Sequence, residues 1–174
     1  MANSKRKKIF LVDDDSSQTD LMKLHLESKY KLDISVFSTG EDCLDHLDEN
    51  PDYIVLDYNL DRVKKDAMNG IEVLKKIKEK LPEVFVIFLS GQDKIEVAVD
   101  TLKFGAYDYV VKNASGMLRV ENILKNIHHN MRLQQQASMY KKATFFLIGV
   151  ILLIIIVAVV LRLLGVSTDN VLWA

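Results

Sequence analysis

The chain has 174 residues, with 23 Lys and Arg against 24 Asp and Glu, a formal net charge of −1 and 49% hydrophobic residues. That length holds one ordinary domain of roughly 100–150 residues and one further element, and a near-neutral balance gives nucleic acid no broad attraction, so no nucleic-acid partner is expected. One cysteine, Cys43, excludes an internal disulfide and suits a reducing compartment.

The basic cluster Lys5–Lys8 reads as a solvated N-terminal lead. Residues 9–12 (IFLV) follow as a short apolar run closed by Asp13, Asp14 and Asp15, the pattern of a buried strand with charge at its carboxyl end. Residues 16–29 are helix-compatible with a blurred apolar face, and 32–37 alternate as a second strand. Ser38 and Glu41 have capping-box spacing and open a helix with Cys43, Leu44 and Leu47 inward, which Asn50-Pro51 stops. A third strand, 53–56, ends at Asp57, and a polar loop runs on to Asn69-Gly70.

The third helix carries Ile71, Leu74, Ile77 and Leu81 on one face and ends at Pro82. Residues 84–89 form a fourth strand ending at Ser90-Gly91. The fourth helix repeats Ile95, Ala98, Val99 and Leu102 at i, i+3, i+4 and i+7. A fifth strand, 107–111, ends at Lys112, and a fifth helix places Val120, Ile123, Leu124, Ile127 and Met131 on one side. His25 and His46 read as surface or helix-face residues. Strands alternating with helices imply an α/β fold, a five-stranded parallel sheet covered on both faces.

Beyond the fifth helix, Gln134 to Ser138 is a polar stretch with helical propensity. It leads to Phe145–Leu161, which carries no charge. Extended past Arg162 by Leu163 and Leu164, this run approaches the roughly 20 residues that cross a bilayer, and Arg162 can snorkel to the interface. Lys141 and Lys142 precede it, so the positive-inside bias keeps the folded part in the cytoplasm. The expected organisation is a folded domain over 7–130, a juxtamembrane helical linker over 131–143, a transmembrane helix over 144–164 and a short extracytoplasmic tail over 165–174. The N-terminus offers no apolar signal region, so the expectation is a single-pass protein of the inner or plasma membrane.

In an open parallel sheet, ligands bind beyond the carboxyl ends of the strands. Here those ends carry Asp13 and Asp14, Asp57, Ser90 and Lys112. Three carboxylates at one edge call for a cation, and hard oxygen ligands suit Mg²⁺. A hydroxyl and an ammonium can neutralise phosphoryl oxygens, and a carboxylate can act as the nucleophile that forms an acyl phosphate. Any one of these residues alone would be a cap or a solvated charge; four strand ends together are not explained that way.

The ordered fragments VDDD (12–15), VLDYN (55–59), LSGQ (89–92) and YVVKN (109–113) resemble the receiver domain of two-component response regulators over roughly residues 7–130. The resemblance implies a flavodoxin-like sheet of order 2-1-3-4-5, with Asp57 as phosphoacceptor. Asp13, Asp14, Asp57 and the backbone carbonyl of Asn59 would hold Mg²⁺. Ser90 and Lys112 would contact the phosphoryl group, with Asn59 and Gln92 flanking it and Tyr109 as the aromatic that changes rotamer. It also implies a histidine kinase or phosphotransfer protein as donor, a possible homodimer, and output through the surface of the fourth helix, fifth strand and fifth helix. Such a domain catalyses its own phosphoryl transfer and dephosphorylation without being an enzyme in the ordinary sense.

Two departures from the family pattern stand out. The loop DRVKKDAM (61–68) is longer than usual and lacks a proline, and Lys112 is followed by Asn113 where the family has proline after a cis bond. A cis bond before asparagine would cost roughly 2.5–4 kcal/mol, which favours a trans bond here. Two rival readings are a receiver-like membrane scaffold that is never phosphorylated and a phosphatase of the haloacid dehalogenase type. The latter expects an aspartate two residues after the nucleophile, where this chain has Asn59.

Overall fold

The structure is a computed structural model and describes residues 6–60, 67–91 and 95–163. Most of the 61–68 loop, Gln92, Lys5, Leu164 and the 165–174 tail therefore lie outside the described residues. The elements are β1 (Lys7–Val12), α1 (Ser16–Lys29), β2 (Leu32–Phe37), α2 (Gly40–Asp45), β3 (Tyr53–Asp57), α3 (Gly70–Lys80), β4 (Phe85–Ser90), α4 (Ile95–Lys103), β5 (Asp108–Val111) and α5 (Gly116–Leu163), with a short 3-10 turn at Leu47–Glu49. All strand pairs are parallel, in the order β2-β1-β3-β4-β5. This is the expected doubly wound sheet. By contact density the chain divides into two units, Met1–Leu124 and Lys125–Ala174.

In the first unit the strands are apolar throughout because both sheet faces are covered. Successive side chains on β1 point to opposite faces. Phe10 and Val12 join a core with Phe37, Cys43, Ile54, Leu56, Val73, Leu74, Ile77 and Phe88. Ile9 and Leu11, on the other side, are equally buried. Burial pushes the Cys43 thiol up to about 12, so it is an inert core group.

Several expectations shift in detail. Lys7 and Lys8 are not a solvated lead: they begin β1, where Lys7 Nζ lies 2.6 Å from Asp52 and Lys8 Nζ 2.6 Å from Glu49. The α2 cap is Thr39, whose hydroxyl accepts from the Asp42 N–H, and not Ser38. The Glu41 carboxylate accepts from the Met68 N–H at 2.8 Å and anchors the chain just before α3. In α3 it is Val73, Leu74 and Ile77 that are buried, whereas Ile71 and Leu81 are partly exposed. His25 does not simply face solvent: its Nε2 lies 2.8 Å from the Glu121 carboxylate, itself 3% exposed, which also takes Lys29 Nζ at 2.7 Å.

The largest correction concerns α4. Ile95, Val99 and Leu102 of the expected inward stripe are 77%, 42% and 48% exposed. The buried residue is Thr101, whose hydroxyl bonds back to the Ala98 carbonyl, and Val97 and Ala98 pack on the core. Ile95, Ala98, Val99 and Leu102 do lie together on one side of this helix, but the side that packs on the sheet runs through Val97, Ala98 and Thr101, so most of the apolar stripe is left uncovered.

Helix α3 has the strongest local start. The Asn69 side chain accepts from the N–H groups of Ile71 and Glu72, while Glu72 accepts from the Asn69 N–H. Asn69→Ala is expected to lower unfolding free energy by about 1 kcal/mol, read as a lower urea midpoint with unchanged slope.

In the second unit, the helical stretch Lys142–Arg162 has 21 residues and is long and apolar enough to cross a membrane, and none of it is buried. At 1.5 Å per residue it spans about 30 Å.

Candidate functional site

The parallel register brings the carboxyl ends of β1, β3, β4 and β5 to one edge of the sheet. Asp13 and Asp14 follow β1 directly, Asp57 closes β3, Ser90 closes β4 and Lys112 follows β5. Asp57 and Ser90 are 1% and 0% exposed, and Asp13 is 5%. One oxygen from each of Asp13, Asp14 and Asp57 lies within 4.8 Å of the others. Lys112 Nζ sits 2.6 Å from Asp13 Oδ2 and 2.8 Å from Asp57 Oδ1. Thus residues separated by up to 99 positions converge on a single site.

Three carboxylates here face one ammonium. Burial is the main reason the Asp13 carboxyl is held above the usual carboxylate range; Lys112 opposes that shift and the Asp57 charge adds to it. Burial works against the Lys112 charge, but its hydrogen bond to Asp13 and its close pairing with the Asp57 carboxylate outweigh it and raise the ammonium above its ordinary value. Asp57 Oδ2 accepts from the Asn59 N–H at 3.2 Å. Its Oδ1 is fully buried, and Lys112 meets it as an ion pair without a well-aligned hydrogen bond. A buried, incompletely satisfied carboxylate in an acid cluster fits a hard divalent cation, for which Asp13, Asp14 and Asp57 are suitable ligands.

Asn59, Ser90 and Tyr109 are the other predicted residues among those described. The backbone of Asn59 follows β3 on the same edge, turned so that its N–H bonds the Asp57 carboxylate. Ser90 O accepts from the Lys112 N–H at 2.7 Å, which carries the β4–β5 pairing one residue beyond the strand. Tyr109 is 8% exposed, with its ring 6.5 Å from that of Phe88 and nearly parallel to it. No peptide bond among the described residues is cis, so Lys112 reaches both acids through a trans bond to Asn113. A cavity of about 300 Å³ opens beside the acids, walled by Leu21, Met22 and Met117 and reaching Asp13 and Lys112. Its walls come from α1 and the start of α5, so local sequence pattern carried no signal for it. The link from Glu41 to Met68 was missed for the same reason: a side chain 27 residues away cannot be read from local spacing.

Comparison with known proteins agrees with this geometry. Residues 9–125 match the family model described as response regulator receiver domain. The chain is 32% identical over 103 residues to regulatory protein LuxO of Vibrio cholerae, which is 59% of this chain and 21% of that protein. The chain thus spans about a fifth of the length of this curated relative. Among solved structures, the receiver domain of a putative LuxO repressor protein from Vibrio parahaemolyticus superposes with a TM-score of 0.65 at 24% identity, covering 76% of this chain and 97% of that one. A CheY-like receiver domain protein from Methanospirillum hungatei gives 0.62 at 25% identity, covering 74% and 98%. With four strand ends supplying the acids, hydroxyl and ammonium and a family match over most of the folded unit, the chain belongs to the response regulator receiver domain family.

Proposed function

We propose that the chain is a membrane-anchored receiver that accepts a phosphoryl group on Asp57 from a histidine kinase or phosphotransfer partner. The observation that carries this reading is the buried Asp57 carboxylate between an acid pair and the Lys112 ammonium. Mg²⁺, held by Asp13, Asp14, Asp57 and the Asn59 carbonyl, would supply positive charge for the phosphoryl oxygens. Asp57 is the nucleophile: one of its oxygens bonds to phosphorus as the donor's P–N bond breaks, and that electron pair leaves on nitrogen. Lys112 and the Ser90 hydroxyl then bind the transferred group's oxygens. Lys112 gives up its contact with Asp13 to do so. The cavity wall of Leu21, Met22 and Met117 offers the donor an apolar landing next to the acids.

Output would pass through the surface of α4, β5 and α5, with a change at Tyr109 shifting the population between two packings. The exposure of Ile95, Val99 and Leu102 on α4 supports this surface as a docking face, for a partner or a second copy. The stretch 144–164 would hold the receiver on the cytoplasmic side of the membrane. Confinement there raises the effective concentration of a membrane-bound kinase.

The test is the intact mass of the chain in detergent after incubation with phosphoramidate and Mg²⁺. A gain of one phosphoryl group that a chelator abolishes is the expected result. No gain in folded, metal-supplied protein would favour an unphosphorylated membrane scaffold. Truncation after Lys142 is expected to move the protein from the membrane pellet to the supernatant on fractionation; a full-length chain found in the supernatant would sink the anchor.

A further inference from the structure

Between β5 and α5 the chain must reverse within four residues, 112–115, and this turn carries Lys112 at its start. The Lys112 N–H is fixed by the Ser90 carbonyl at 2.7 Å, but the next bonds all involve Asn113. Its Oδ1 accepts from the Ser115 N–H at 3.0 Å and from the Ser115 hydroxyl at 2.8 Å, and its carbonyl accepts from the Gly116 N–H at 3.0 Å. The Arg119 N–H then bonds the Ser115 carbonyl at 3.0 Å, so the residue pinned by Asn113 also opens α5. The turn folds back closely over the strand end: a Cβ on Gly116 would lie 2.8 Å from the Val111 carbonyl oxygen. Asn113 itself is exposed and lines the same cavity as Asp13 and Lys112.

From this arrangement we infer that Asn113 is a positioning residue for phosphoryl transfer: its side-chain oxygen locks the 113–116 turn and thereby fixes the origin of the Lys112 side chain. The inference rests on the proposed phosphorylation of Asp57. In the resting protein Lys112 is held by two carboxylates, which would steer it even from a loose turn. During transfer it must leave Asp13 for the incoming group, and then only the backbone determines where Nζ can reach. Misplacement of a reacting group by about 1 Å can cost as much as 10²-fold in rate. Partial loosening of one turn is expected to cost about tenfold.

The experiment compares full chains in detergent, with phosphoramidate as donor at saturating Mg²⁺. Asn113→Ala is expected to lower the maximal phosphorylation rate about tenfold, leaving the half-saturating donor and Mg²⁺ concentrations and the melting temperature near those of the parent. Asn113→Asp keeps an acceptor oxygen in the same place and is expected to retain the parental rate. Asn113→Gln keeps the amide but moves its oxygen one methylene outward, and is expected to behave like Asn113→Ala. If Asn113→Ala or Asn113→Gln phosphorylates at the parental rate, or if folded Asn113→Asp is as slow as Asn113→Ala, Asn113 does not position Lys112 and the phosphorylation reading stands. A parental chain that takes up no phosphoryl group overturns both.

Discussion

Asp57→Asn is expected to take up no phosphoryl group under conditions that add one to the parental chain, and to bind Mg²⁺ roughly 10- to 100-fold more weakly, the range seen when even outer partners of metal ligands are removed. Asparagine fills the same buried space at the end of β3, so the change acts on charge more than on packing. It removes the proposed nucleophilic oxygen, one of three clustered carboxylates, and one of the two groups that hold Lys112. Lys112 keeps Asp13 at 2.6 Å, so no charge is left buried without a partner and the fold is retained. Intact mass reports the first effect and calorimetric titration of Mg²⁺ the second. A phosphoryl group found on Asp57→Asn would place the acceptor elsewhere, and unchanged Mg²⁺ affinity would remove Asp57 from the metal site.

Gly70→Ala is expected to destabilise the chain by about 3 kcal/mol or more, the upper part of the range for overpacking, and to slow phosphorylation at the same time. A Cβ at this position would fall 2.2 Å from the Asp57 carbonyl oxygen, 2.8 Å from Tyr58 Cα and 3.0 Å from the Phe88 ring. The two nearest atoms are backbone, so no side-chain rotation relieves the contact. The Gly70 N–H also bonds the Tyr58 carbonyl at 2.9 Å, which ties the first turn of α3 to the strand end that carries Asp57, the proposed acceptor. Either α3 moves out, exposing Val73, Leu74 and Ile77, or the end of β3 shifts and takes Asp57 with it. Urea unfolding and the phosphorylation rate measure the two outcomes. A loss under about 0.5 kcal/mol, the level of an ordinary surface substitution, would show that α3 and the end of β3 leave room for a side chain at this position.

The sequence by itself determined the alternation of strands and helices, the polar residues that close the strands, and the apolar run near the carboxyl end. Each is a local property: a two-face-buried strand must be apolar, its end can carry charge, and a stretch of 21 residues without a polar face has a composition suited to lipid. The four receiver-like fragments added the strand order, which periodicity does not contain because it records burial and not neighbours. Tertiary structure decided the rest. It turned Ile95, Val99 and Leu102 of α4 outward and Val97, Ala98 and Thr101 inward, since the covered side of a helix is set by what it packs on and not by its apolar stripe alone. It gave the α2 cap to Thr39 and tied the Glu41 carboxylate to the Met68 N–H across the fold. It buried Glu121 against His25 and Lys29, a pairing of groups more than 90 positions apart. Above all it placed the Lys112 ammonium within 2.8 Å of both Asp13 and Asp57. Local sequence can put a charge at the end of a strand, but only the pairing of β1 with β3, β3 with β4 and β4 with β5 brings those ends close enough for their charges to act on one another.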